Sequence, residues 1–155
     1  MSADDFTAIE DWAAGLLAAL SAGERRKVNR QVAMELRRAQ AARISSQQNP
    51  DGSAYAPRRP AKNLRGKRGH IRRKMFTSLR TARYLRTEAS GDTAAVGYAG
   101  AVARIARVHQ LGLRDRPAPN MQPIRYAVRQ LLGFSNEDRQ RILDAYARHL
   151  AERGL

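Results

Sequence analysis

Twelve Lys and Arg residues fall between Gly52 and Thr87 without a single Asp or Glu among them. They are Arg58, Arg59, Lys62, Arg65, Lys67, Arg68, Arg72, Arg73, Lys74, Arg80, Arg83 and Arg86. Like charges at this density repel, so the segment gains little by packing on itself and calls for an anionic surface outside it. The first 24 residues are the reverse, carrying Asp4, Asp5, Glu10, Asp11 and Glu24 and no Lys or Arg. A chain with an acidic end and a basic middle suits contact with nucleic acid, with copies of itself, or with both.

At 155 residues the chain is most simply a single domain, 1–155, large enough for a real core without disulfides or metals. A hydrophobic fraction of 43% argues against wholesale disorder despite a net charge of +15. Without cysteine there is no disulfide scaffold, no Cys-ligated zinc and no thiol catalysis. The opening MSADDF does not read as a signal peptide, and no apolar run is long enough to span a bilayer, so no membrane role is expected. Aromatics are 6% of the chain, and Tyr55, Phe76 and Tyr84 lie too far apart for a base-stacking ladder.

The pattern predicts an α+β fold: several helices against a small antiparallel sheet, with two long loops. Ser2 and Asp5 have capping-box spacing, and Phe6, Ile9, Ala13, Leu16, Leu17 and Leu20 share a face of a first helix over about 4–20. Ser21 and Glu24 repeat the box and open a second helix running to about Gln48, with Val28, Val32, Leu36, Ala39 and Arg43 as one stripe. Asn49-Pro50-Asp51-Gly52 supplies the stop. Gly52 to about Gly69 shows no hydrophobic period and reads as a basic flexible loop, followed by a short helix over His70 to Leu79. Ala82–Glu88 and Thr93–Tyr98 flank Ser90-Gly91-Asp92 as a hairpin. Gly100–Gln110 returns to helix with Val102, Ile105, Ala106 and His109 aligned, and Leu111–Gln122 is irregular. A short strand over Ile124–Val128 precedes a last helix over roughly 136–152, capped by Ser135 and Asp138, with Ile142, Leu143, Tyr146 and Leu150 inward.

Chemistry-bearing constellations are scarce. His109, His70 and His149 have no ligand-like spacing, so His109 reads as a packed histidine at a helix end, where the dipole favours its cation. Asn49–Gly52 lacks the ligand run of a calcium loop. Gly97-Tyr98-Ala99-Gly100 lacks the Lys-Ser/Thr ending of a phosphate loop and reads as a strand-to-helix turn. Glu88 and Asp92 sit at a hairpin tip rather than as a catalytic pair, and no Ser, His and Asp share a recognisable order. No enzyme, cofactor or metal is expected.

Four segments together resemble the phage virion morphogenesis family, the tail-completion proteins of contractile-tailed bacteriophages. They are Arg43-Ile44 through Gln47-Gln48 into Asn49-Pro50-Asp51-Gly52; Lys74-Met75-Phe76 with Leu79-Arg80; Val96-Gly97-Tyr98 with Arg104 to Gln110 and Gly112; and Arg125 to Ser135, including Leu131-Leu132-Gly133. Ala127 departs from the family pattern, which often has proline near that position. The resemblance implies a structural protein that completes the tail and enables head joining. Related terminators form rings, usually hexamers, around the genome channel. The partners implied are further copies of the chain and the tail tube, sheath and head-connector proteins, with non-specific contact to DNA. On that view Arg58, Arg59, Lys62, Arg65, Lys67, Arg68, Arg72, Arg73 and Lys74 would line the lumen or dock, and Asp4, Asp5 and Asp11 would meet a neighbouring subunit. The alternative is a nucleic-acid-binding accessory protein using residues 58–86 on phosphate backbones.

Overall fold

The computed structural model describes residues 7, 10, 11, 14, 15, 18, 20–59 and 74–153. Its elements are α1 (Ala22–Ser45), β1 (Leu85–Ala89), β2 (Ala94–Tyr98), α2 (Ala101–Leu111), β3 (Arg114–Asp115), β4 (Ile124–Arg125) and α3 (Asn136–Ala151). The fold is α+β as expected, but two small antiparallel sheets, β1–β2 and β3–β4, take the place of one. From the helix expected over 4–20, Thr7, Glu10, Asp11, Ala14, Gly15 and Ala18 are helical, and the Ser2–Asp5 cap lies outside the described residues. The chain divides into two compact units: Met1–Arg37, Thr87–Val96 and Asn136–Leu155 in one, Arg38–Arg86 and Gly97–Ser135 in the other.

The start of α1 follows its sequence signal. Ser21 Oγ accepts from the Glu24 amide at 3.3 Å, and Glu24 Oε2 accepts from the Ser21 amide at 3.2 Å. This reciprocal box satisfies two otherwise orphaned donors and, with the Arg153 and His149 charges contributing less, holds the Glu24 carboxyl below its usual range. The helix stops at Ser45, short of the expected Gln48. Gln47 turns left-handed at φ 59°, its amide donates to Ile44 O at 3.1 Å, and the Gln48 amide reaches Arg43 O at 3.2 Å. That is a Schellman ending with Gln where Gly is usual, so the stop precedes Pro50. The buried stripe also differs: after Val28, Val32 and Leu36 it continues through Gln40 and Ile44, while Ala39 and Arg43 are half-buried.

In the first unit, Val28, Val32 and Leu36 pack with Ala145, supported by Ala94, Val96, Ile142 and Tyr146. Asn29 is buried there and uses both ends of its amide. Its Nδ2 donates to Ser90 O at 3.0 Å, and its Oδ1 accepts from the Tyr146 hydroxyl at 2.6 Å. The hairpin tip is tied to α1 as well, with Arg25 3.8 Å from Asp92. On α3, Asp138, Ala145, His149 and Leu150 are buried, and Ile142, Leu143 and Tyr146 are half-buried.

In the second unit, Ile44, Tyr55, Leu79, Ala106 and Leu131 form a core, flanked by Met75, Phe76, Tyr84, Tyr98 and Val102. The helix expected over His70–Leu79 is corrected: its described part, from Lys74 on, consists of bends and turns. Phe76 adopts φ 62°, which a bulky residue rarely does and which breaks any helical run. α2 begins after Gly100 and ends on Gly112, which is left-handed at φ 63°. It buries Ala106 and Val108, while Ile105, expected inward, is 46% exposed. β3 lies inside the stretch expected to be irregular. The strand expected over 124–128 shortens to Ile124 and Arg125, which pair with Asp115 and Arg114. Beyond it the backbone turns to α2, with the Tyr126 amide on Leu113 O at 3.0 Å and the Arg129 amide on His109 O at 2.8 Å.

Candidate functional site

Most residues that carry the family resemblance lie in the second unit, where side-chain amides tie their backbone together, and Val96 lies in the first. Two glutamines act as clamps. Gln47 donates from Nε2 to Met75 O at 2.9 Å and accepts from the Met75 amide at 2.7 Å. Gln110 does the same to Leu132, at 2.8 Å to its carbonyl and 2.9 Å from its amide. Each primary amide thus replaces a strand rung, fixing a segment with no ladder of its own. Asn49–Gly52 is also more than a stop. Asn49 Oδ1 accepts from the Gln130 amide at 2.9 Å, and Gly133 O accepts from Arg43 at 2.9 Å and Gln40 at 3.2 Å. Gly133, at φ 151°, leaves no room for a side chain: an added Cβ would stand 2.5 Å from Pro50 Cγ. Asp51 only accepts from Ser53, at 2.9 Å from the amide and 2.5 Å from the hydroxyl, which lowers its pKa and closes the turn.

These clamps hold a chain of rings. Tyr55 meets Phe76 edge-on at 5.8 Å, Phe76 meets His109 at 4.7 Å, and His109 meets Tyr126 at 4.9 Å. Edge-to-face geometry sets each positive rim on a neighbour's negative face. The Tyr55 hydroxyl donates to Gln130 O at 3.2 Å, and burial pushes its pKa up to about 12. Tyr98, also packed on this core, is pushed up by burial too.

Behind the rings lies Arg129, buried to 5% exposure. Its Nε donates to Ala56 O at 2.7 Å, Nη2 to Pro57 O at 2.8 Å, and Nη1 sits 3.3 Å from His109 Nδ1. A guanidinium only donates, so Nδ1 accepts and the proton of the neutral ring stands on Nε2. Burial, then the Arg129 charge, pulls His109 down to about 4. The sequence expectation of a dipole-stabilised histidine cation is therefore corrected: the ring is neutral, and desolvation outweighs the dipole. Burial, then the nearby Arg58, also lowers Arg129 from its ordinary value. Among the described residues Arg129 forms no ion pair, so its charge rests on carbonyl dipoles.

Together these residues border a groove of about 390 Å³. Met75, Phe76, His109, Ile124 and Tyr126 give it an apolar and aromatic lining, and Arg58, Arg59, Arg125 and Arg129 supply the charge. No group of His, Asp and Glu among the described residues could hold a metal ion. No described helix is long and apolar enough to cross a membrane.

From the candidate basic residues, Arg58, Arg59 and Lys74 are exposed, and Arg58 Nη2 reaches Lys74 O at 3.3 Å. Lys62, Arg65, Lys67, Arg68, Arg72 and Arg73 lie outside the described residues, as do Asp4 and Asp5, whereas Asp11 is helical and exposed. Val96 belongs to the first unit's core and Gly97 follows it on β2. Gly112 is needed for its left-handed φ and because a Cβ there would lie 2.7 Å from Val128 Cγ2. Leu131 is fully buried. The sequence offered Arg129 only as part of the Arg125–Ser135 motif and did not single out Asn29; a polar residue set among apolar neighbours on a helix, as Asn29 is beside Val28, was the available sign.

Residues 4–151 match the phage virion morphogenesis family. Tail completion protein S of Escherichia phage P2 is 39% identical over 148 residues, covering 95% of this chain and 98% of the relative. No solved structure matches. With the match spanning both units and every clamp described above, the chain belongs to the phage virion morphogenesis family.

Proposed function

We propose that this chain is a structural assembly protein that completes the phage tail and enables its joining to the head. The likeness to the P2 tail completion protein, over nearly the full length of both chains, carries the proposal. The subunits form a homo-oligomeric ring at the head-proximal end of the tail, hexameric as in related terminators. The basic segment at 52–69 and the stretch at 111–122 dock on tail tube, sheath or head connector, with diffuse contact to DNA in the lumen. Asp4, Asp5 and Asp11 meet a neighbouring subunit. The protein works in the host cytoplasm during assembly and stays in the virion.

Exposed charge supports a docking role. Arg58, Arg59, Lys74, Arg80, Arg83 and Arg86, the described cations of the basic segment, are all exposed. The same charge favours the second reading, a nucleic-acid-binding accessory protein acting on phosphate backbones. Light scattering and duplex titration separate the two. An assembly subunit gives a multimer and binds duplex weakly at physiological salt. A strict monomer that binds tightly, with affinity falling steeply as salt rises, reverses the ranking.

A further inference from the structure

We infer that the arginine-rimmed groove of the second unit is the receptor for the acidic N-terminal segment of a second copy of this chain. The inference rests on the oligomeric reading above and assigns it a contact.

The groove is charged beyond what the fold itself balances. Arg58, Arg59, Arg125 and Arg129 border it, and none forms an ion pair among the described residues. The register of β3 and β4 adds to the excess by setting Arg114 directly opposite Arg125. Like charges facing across a ladder destabilise it, and an anion held between them relieves that cost. The same groove is lined by Met75, Phe76 and Tyr126. The fitting ligand therefore brings carboxylates together with an apolar or aromatic side chain. A nucleic acid backbone answers the charge but leaves the ring-lined floor uncovered.

The chain contains such a segment. Among the described residues, Glu24, Glu35, Asp92, Asp115 and Asp138 are already paired with arginines. The densest remaining group is Asp4, Asp5, Glu10 and Asp11, interleaved with Phe6 and Trp12, and no Lys or Arg occurs before Arg25. Glu10 and Asp11 are exposed and form no ion pair among the described residues. Receptor and ligand are different patches of one chain, so the contact is heterologous and repeats head to tail, closing into a ring when the rotation permits.

A charge-swap cycle in the full-length protein tests this. One variant carries Arg58→Glu and Arg125→Glu, both at exposed positions; the other carries Asp4→Arg and Asp5→Arg. Oligomer mass is read by sedimentation velocity at low salt. Each variant alone should weaken association about tenfold, and mixing the two should restore it, because each segment then meets a groove of opposite charge and the two variants alternate in a mixed oligomer. That rescue also proves both variants folded. An oligomer indifferent to both reversals overturns the groove assignment and leaves the oligomer standing. Weakening without rescue shows that the patches do not meet and overturns it too. Loss of infectivity at unchanged mass assigns the groove to another protein. A wild-type chain that stays monomeric at every concentration removes the oligomeric reading itself.

Discussion

His109 and Gly133 carry the sharpest consequences for single side chains. The half-buried imidazole has its pKa pulled from 6.5 to about 4. Between those values the unfolded chain takes up a proton that the folded chain refuses, so stability falls as pH drops through the window and is complete above it. Thermal melts should show that loss, and the His109 ring should titrate near 4 by NMR; a midpoint at 6.5 would refute its burial against Arg129. The Glu24 and Asp51 carboxyls, both held below their ordinary values, contribute stability that is complete above those values and lost as pH falls below them, so the upper part of the His109 window is free of them. Gly133→Ala should cost roughly 1–3 kcal/mol in urea unfolding, because backbone strain at a positive φ adds to a clash with the Pro50 ring. An unchanged midpoint would mean that this segment is not pressed against Pro50.

Among the elements, what was legible and what was not divides by range. Local signals read correctly: the Ser21 box opens α1, Ser90–Thr93 closes the hairpin, and Gly112 ends α2 with its amide on Val108 O. The misreadings come from contacts distant in sequence. Gln47 ends α1 early because its side chain clamps Met75, 28 residues away. Phe76 leaves helical conformation to place its ring between Tyr55 and His109. Neither constraint is written in local periodicity. The charged face of the candidate site was visible as a run of cations, but its floor was not, since the strand and motif expected around Tyr126 and Arg129 do not say that Phe76 and His109 pack beside them. The second glutamine clamp gives a direct check. Gln110→Leu strands the Leu132 amide and carbonyl in a part-buried site and should cost about 2 kcal/mol. A cost near zero would show that Leu131–Gly133 is held by packing alone.

The molecule as a whole joins a folded scaffold to charges that the scaffold does not neutralise. Each described ion pair keeps one partner exposed to solvent, and surface pairs contribute about 0–1 kcal/mol each, so they offset little of a net charge of +15. The excess makes sense if it is used outside the protomer. Replacing Arg58, Arg59 and Lys74, all exposed, by Gln should leave the melting temperature within a few degrees of wild type, or higher as repulsion is relieved, while reducing the yield of infectious particles. A collapse in melting temperature would instead make these side chains part of the fold. The most direct measurement is electron microscopy of lysates from a phage deleted for this gene alone. Filled heads lying beside unjoined tails, rescued by the gene in trans, are the predicted result. Normal head-attached tails at wild-type numbers would contradict the assembly role.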